Sequence, residues 1–383
     1  MMISRTVLGL VCLLLLPASL GTLACGGDDD DAADAADDVS DDVSGDDVSG
    51  DLSDDAEDTS TEDDGFDDST GDGEPPCGVV LDEVINDAED AVADAGAVYF
   101  LEDDVLEDEL RVHRIDRETG AVEHVATLDL DDVTVLRPQL AVDDAFVYVG
   151  ADIGLWRVPV TGGEPEQLVA DDIDDLAQDE THLYWSTAYP GGGDFDLQLR
   201  RLPKAGGDPE ILFDDPPGSA TMALNAVVAV DGTHVYWNDD LGDLQRMPKE
   251  GGEPEAFTDL LGFRAEMQDL VIEESGFYWF TSETLGGDKV YDYFHLEVDG
   301  SDRLIARVTG GFVSHRMVVH DGDLYFEHFD YEDSNGIYRV SVEGGDPDRL
   351  AYSLVDAFVP TEEGLYVVGT VGLQLLPVDG CER

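Results

Sequence analysis

The sequence predicts an all-β fold: a seven-bladed β-propeller of four-stranded blades, its ring closed by an N-terminal strand placed in the last blade. Three observations carry this. A strand core with tyrosine between apolar or aromatic neighbours recurs seven times, its tyrosines spaced 49, 36, 52, 42, 47 and 41 residues apart. Most copies are followed by an Arg-x-Pro strand and a Gly-Gly-acid-Pro turn. The two ends of the repeat region are complementary fragments of one unit. Four short strands at a period near 40–50 residues are the signature of a propeller. An array of sandwich domains would show linkers between units, and none separates these.

Residues 1–24 read as a leader. Arg5 supplies a positive start, and Val7 to Leu16 is an apolar run followed by Pro17 and small residues. That run is shorter than the roughly 20 residues a spanning helix needs. Thr22-Leu23-Ala24-Cys25-Gly26 resembles a bacterial lipobox, with Thr22 where leucine is usual, and the resemblance makes Cys25 the lipidated first residue of the mature chain. Ordinary signal cleavage is the alternative.

Residues 25–76 read as the lipidated Cys25 and a disordered acidic linker. From Asp28 to Glu74 there are 23 acidic residues and no Lys or Arg, and Asp-Asp-Val-Ser occurs at 37–40, 41–44 and 46–49. Such a segment has little to bury and repels itself, so an extended spacer is expected. No window has the alternating carboxylates, Gly and distant Glu of an EF-hand loop.

Residues 77–383 form the repeat domain. The cores are Val98-Tyr99-Phe100, Val147-Tyr148-Val149, Leu183-Tyr184-Trp185, Val235-Tyr236-Trp237, Phe277-Tyr278-Trp279, Leu324-Tyr325-Phe326 and Leu365-Tyr366-Val367. An acidic or turn residue stands four or five positions before most of them, as at Asp143, Asp179, Asp231 and Asp321. Arg157-Val158-Pro159 leads to Gly162-Gly163-Glu164-Pro165. Arg201-Leu202-Pro203, Arg246-Met247-Pro248 and Arg339-Val340 lead to equivalent turns, while units one and five are degenerate. The glycines supply the positive φ a tight hairpin needs, and the acid-Pro pair begins an outer strand that can spare a backbone donor.

The seventh unit stops at Pro377-Val378-Asp379-Gly380-Cys381, where its outer strand should begin. Cys77-Gly78-Val79-Val80-Leu81 reads as that missing strand. Of four cysteines, Cys12 leaves with the leader and Cys25 carries lipid. Cys77 and Cys381 remain at the two edges that closure brings together, in an oxidising compartment, and a disulfide between them is expected.

The Tyr-Trp strand with its Arg-x-Pro and Gly-Gly-acid-Pro element resembles the YWTD/TolB-like propellers, and among them the propeller lipoproteins of environmental and predatory bacteria. The resemblance covers essentially all of 77–383. It implies the propeller fold and a family of receptors, scaffolds and some lyases; its motifs describe blade packing, so it implies no particular chemistry.

Charge excludes nucleic acid as a partner. The chain has 19 Lys+Arg against 90 Asp+Glu, a formal −71, and phosphate contacts need clustered cations. Taking away the acidic linker and Arg5 leaves −49 on the repeat domain, so the disc itself is anionic. This points to a saline setting or cationic partners. The motifs G-x-S-x-G, HExxH, C-x-x-C and the P-loop are absent. Gly191-Gly192-Gly193 reads as a hairpin insertion, and His182 and His234 read as parts of a shared turn.

Candidate ligand-binding residues come from the starts of the innermost strands, nine to eleven positions before each tyrosine: Arg137, Gln139, Asp174, Asp175, Asn225, Gln268, Asp269, His315, Arg316 and Asp356. Convergent polar groups at a channel mouth suit a small ligand, a cation or a peptide; solvated strand starts are the plainer reading. No cofactor, metal site or catalytic residue is assigned. The expected function is a monomeric, lipid-anchored module of the bacterial cell envelope, on the periplasmic or surface side of the outer membrane. It would be a non-enzymatic binding or scaffold module for protein, peptide or glycan, touching the membrane only through its lipid. The alternative is a propeller lyase or hydrolase dependent on a divalent cation at the mouth. The resemblance to virginiamycin-lyase-type propellers places His315 with Asp174, Asp175 or Asp269 in that role.

Overall fold

The computed structural model describes residues 78–82, 85, 88–104, 107–130, 135, 137–187, 197–214, 227–238, 244–258, 266–297, 302–329, 335–351, 355–369 and 372–377, excluding the side chains of 258, 266, 297, 314 and 315. The leader, the acidic linker, Cys12, Cys25, Cys77, Cys381, Asn225 and Gly191 to Gly193 lie outside them, as does the side chain of His315.

Twenty-eight strands form seven four-stranded antiparallel sheets, and the described residues contain no helix. This is a seven-bladed β-propeller. The innermost strands, in blade order, are Ala88–Ala93, Gln139–Val142, Asp175–Gln178, Val228–Val230, Glu266–Glu273, Phe312–His320 and Val355–Pro360. In blade 7 the fourth, outermost strand is Val79–Asp82, which pairs with Gly372–Leu376 (Val79 opposite Leu375). The chain's first described strand thus completes its last blade.

The core lies between blades. Each cluster of buried side chains draws on neighbouring sheets: Tyr99 and Val149 join blades 1 and 2, Tyr148 and Trp185 blades 2 and 3, Tyr184 and Trp237 blades 3 and 4. Tyr236, Trp279 and Phe326 continue through blades 4, 5 and 6; Tyr325 and Phe358 join blades 6 and 7, and Phe100 and Tyr366 join blades 1 and 7. A second strand sandwiched by two sheets is buried on both faces, which is why it reads Val-Tyr-Trp rather than alternating. Trp185, Trp237 and Trp279 are accordingly enclosed.

The Gly-Gly turns have one geometry. The amides of Gly162, Gly206 and Gly251 donate to the carbonyls of Pro159, Pro203 and Pro248 at 2.8–2.9 Å. Gly162 and Gly163 have φ of 84° and 152°, a conformation that disfavours any residue with a Cβ.

Candidate functional site

The innermost strands leave one edge without a strand partner, and its amides need acceptors. Side chains nine positions before the repeat tyrosine supply them. Asp90 Oδ2 accepts the amide of Leu140 in blade 2 at 2.6 Å, and Gln139 Oε1 accepts that of Leu176 in blade 3 at 2.8 Å. Asp175 Oδ2 accepts Val228 of blade 4 at 2.6 Å, and Asp269 Oδ2 accepts Met317 of blade 6 at 2.8 Å. The other oxygens of the three aspartates accept the amide of their own next residue, Ala91, Leu176 and Leu270. A charge-assisted bond of this kind stabilises by about 1.5–3 kcal/mol.

In the equivalent positions blade 4 has Val227, blade 6 Arg316 and blade 7 Ala357. Arg316 reaches past the small Ala357 and pairs through Nη1 with Asp90 of blade 1. One guanidinium therefore links two blades that are not neighbours. Asp90 is buried (3 % exposed), while the Arg316 side chain keeps 38 % of its surface accessible. Burial lowers the Arg316 pKa to about 10, still protonated at neutral pH.

Two carboxylates on this level, Asp175 and Asp269, are raised. Burial pushes Asp175 up to about 6, against the amide of Val228 and the side chain of Gln139. Burial, reinforced by the charge of Asp175, pushes Asp269 up to about 7 against the amides of Met317 and Leu270. Asp269 therefore titrates well above the ordinary carboxylate range.

Of the ten residues selected from sequence, Gln139, Asp175, Asp269 and Arg316 meet on this ring. Arg137 lies at the mouth with φ of 49°, its pKa lowered by burial while the charges of Asp174 and Asp175 oppose the shift. Asp174 and Asp356 are exposed, and the Asp174 carbonyl accepts Gln139 Nε2 at 3.2 Å. Gln268 turns away from the channel: it is buried and its Nε2 donates to Ser282 Oγ at 3.3 Å. Asp90 was missed by the sequence reading, although its distance from Tyr99 marks it.

A second set of carboxylates stands at the opposite ends of these strands, five positions before the tyrosine. Asp143, Asp179 and Asp231 accept the hydroxyls of Tyr148, Tyr184 and Tyr236 at 2.9, 2.9 and 2.7 Å, and cap the turn amides that follow. Lysines from the next blade join them: Lys204 Nζ lies 3.2 Å from Asp143 and Lys249 Nζ 2.7 Å from Asp179. His182 and His234 belong to these turns, each bonded through Nδ1 to the hydroxyl of the preceding Thr at 2.7–2.8 Å. Among the described residues no three of His, Cys, Asp and Glu are grouped to hold a metal ion.

Along blades 6, 7 and 1 the channel widens into a cavity of 670 Å³, from Arg316 and Ala91 to the turns at Asp94 and Thr361 to Glu363.

No protein-family model and no curated protein matches the chain. Solved structures resemble it in fold. The extracellular domain of a hybrid two-component system from B. thetaiotaomicron is similar over 78 % of this chain and 39 % of that one, with 11 % identity and a TM-score of 0.55. A chain of the mitotic checkpoint complex gives 79 %, 92 %, 14 % and 0.52, and the computationally designed Ika8 protein 79 %, 99 %, 12 % and 0.50. Identities this low speak for the fold alone.

Proposed function

We propose that the chain is an envelope lipoprotein of the YWTD/TolB-like kind, anchored through Cys25 and spaced by its acidic linker. Its propeller serves as a rigid, non-enzymatic binding or scaffold module for a protein, peptide or glycan. One observation supports this above the others: Asp175 and Asp269, two of the three carboxylates that a catalytic reading would employ, are committed to the fold. Asp90, Asp175 and Asp269 each hold two main-chain amides, one of them in another blade. Groups fixed between sheets are suited to stiffening a disc, and a stiff disc binds a partner at low ordering cost.

The test uses the full chain in intact envelopes. Cross-linking followed by mass spectrometry should give a discrete adduct that survives a high-salt wash, and Cys25→Ser should move the protein to the soluble fraction. Persistence of the variant in the membrane fraction overturns the anchor. A divalent cation retained at one per chain through dialysis, and lost on Asp269→Asn, would favour the lyase or hydrolase reading instead.

A further inference from the structure

The seam between blades 5 and 6 encloses a hydroxyl that the protein itself leaves unsatisfied. Tyr293, in the third strand of blade 5 (Asp288–Glu297), is fully buried, and its Oη has no hydrogen-bond partner among the described residues. Buried tyrosines elsewhere are partnered: Tyr148, Tyr184 and Tyr236 bond to aspartates, Tyr278 to Ser275 and Tyr291 to the Gly311 carbonyl. The Tyr293 ring is held in place by stacking on Phe280 of its own blade and on Phe326 of blade 6, with centroids 5.1 and 4.4 Å away. Its hydroxyl cannot swing to a distant acceptor without giving up those contacts. A buried hydroxyl left unpaired is costly, and native proteins pair nearly all of them with protein or with water.

An acceptor stands in the same row. Asp269 opposes Phe280 and Phe280 opposes Tyr293, so the three share one face of the sheet. That face is turned to blade 6, where Asp269 Oδ2 takes the amide of Met317, itself opposite Phe326. Burial pushes the Tyr293 hydroxyl well above its ordinary pKa, and Tyr291 and Asp269 add to the rise. Each Asp269 oxygen accepts one amide, and a carboxylate oxygen has room for a second donor. The row therefore holds a donor without an acceptor and an acceptor with capacity to spare, with no direct bond between them.

We propose that a single buried water bridges Tyr293 Oη and the Asp269 carboxylate, accepting from the hydroxyl and donating to the carboxylate. A polar site with two partners meets the requirement for an internal water, and such a bridge is nearly as good as a direct bond. The bridge joins the third strand of blade 5 to the carboxylate that already holds the innermost strand of blade 6. It is independent of the reading of the disc as a binding module.

A high-resolution crystal structure of the full chain should show one isolated peak about 2.6–3.2 Å from both Tyr293 Oη and an Asp269 oxygen. Tyr293→Phe keeps the ring and its stacking, so the fold should persist while the peak vanishes. Oxygen-17 relaxation dispersion in solution should then count one long-lived water fewer than in the parent. The melting temperature of Tyr293→Phe should fall by about 2 °C. Removing a hydroxyl that holds no water would leave it unchanged or raise it, because an unsatisfied polar group is gone. An empty site, a direct bond from Oη to the protein, a peak that requires potassium or ammonium in the buffer, an unchanged water count, or a Tyr293→Phe melting temperature at or above the parent's overturns the proposal.

Discussion

Asp175 stands at the channel end of an innermost strand; Asp179 stands four residues on, at its turn end. Both are partly enclosed, both accept main-chain amides, and both tie their blade to the next. Yet burial carries Asp175 up to about 6, while Asp179 is held well below the ordinary carboxylate range. Burial opposes the lowering at Asp179 and is outweighed by Lys249, the amides of Thr181 and His182, and the hydroxyl of Tyr184. Asp175 has amides and Gln139 but no cation in direct contact, and Asp174 adds a like charge. Amide donors alone do not offset the loss of water; a neighbouring cation does. The turn belt is therefore built to keep its charges, and the channel ring to carry a few of them at a cost.

The sharpest way to break the contrast is at a channel carboxylate that does have a cation in contact. Asp90→Ala removes the partner of Arg316 and orphans the amides of Ala91 and Leu140. We expect a loss of about 3 kcal/mol in urea unfolding, partly restored by adding Arg316→Met. A loss below about 1 kcal/mol would show that the strap is slack.

The turn belt should respond less and with the opposite pH sign. Lys249→Met is expected to cost about 1 kcal/mol at neutral pH. Asp179 has a folded pKa below its unfolded value, so its contribution is present above about pH 4 and is lost as pH falls. Without Lys249 the acid-unfolding midpoint should move to higher pH; an unchanged midpoint would contradict the pairing.

Asp269 gives the cleanest sign. Its folded pKa of about 7 exceeds the unfolded value, so its contribution is fullest below about pH 4 and declines as pH rises toward 7. Asp269→Asn, which keeps an acceptor but no charge, should flatten that decline. A melting profile between pH 4 and 7 identical to the parent would refute the assignment.

Much of this was legible in sequence. Seven tyrosines set the blades, and the fragments at the two ends of the domain indicated which strand completes the last sheet. The window of nine to eleven residues before each tyrosine contained the ring, but alternate residues of a strand face opposite ways. That mixed Asp269, in the channel, with Gln268, turned into its blade. Asp90, nine positions before Tyr99, fits the same window and was not selected. The cavity was not legible at all: its wall pools small residues from three blades more than two hundred positions apart, and emptiness has no motif.

The pairing of Val79–Asp82 with Gly372–Leu376 also sets an order in time. During synthesis the first of these strands emerges almost three hundred residues before its partner. At about 5–20 residues per second it waits roughly 15–60 s, a hydrophobic edge with nothing to bind. The blades between them can assemble meanwhile, but the ring stays an open arc until its last strands appear. A protein built this way depends on whatever keeps an unfinished arc from pairing with another.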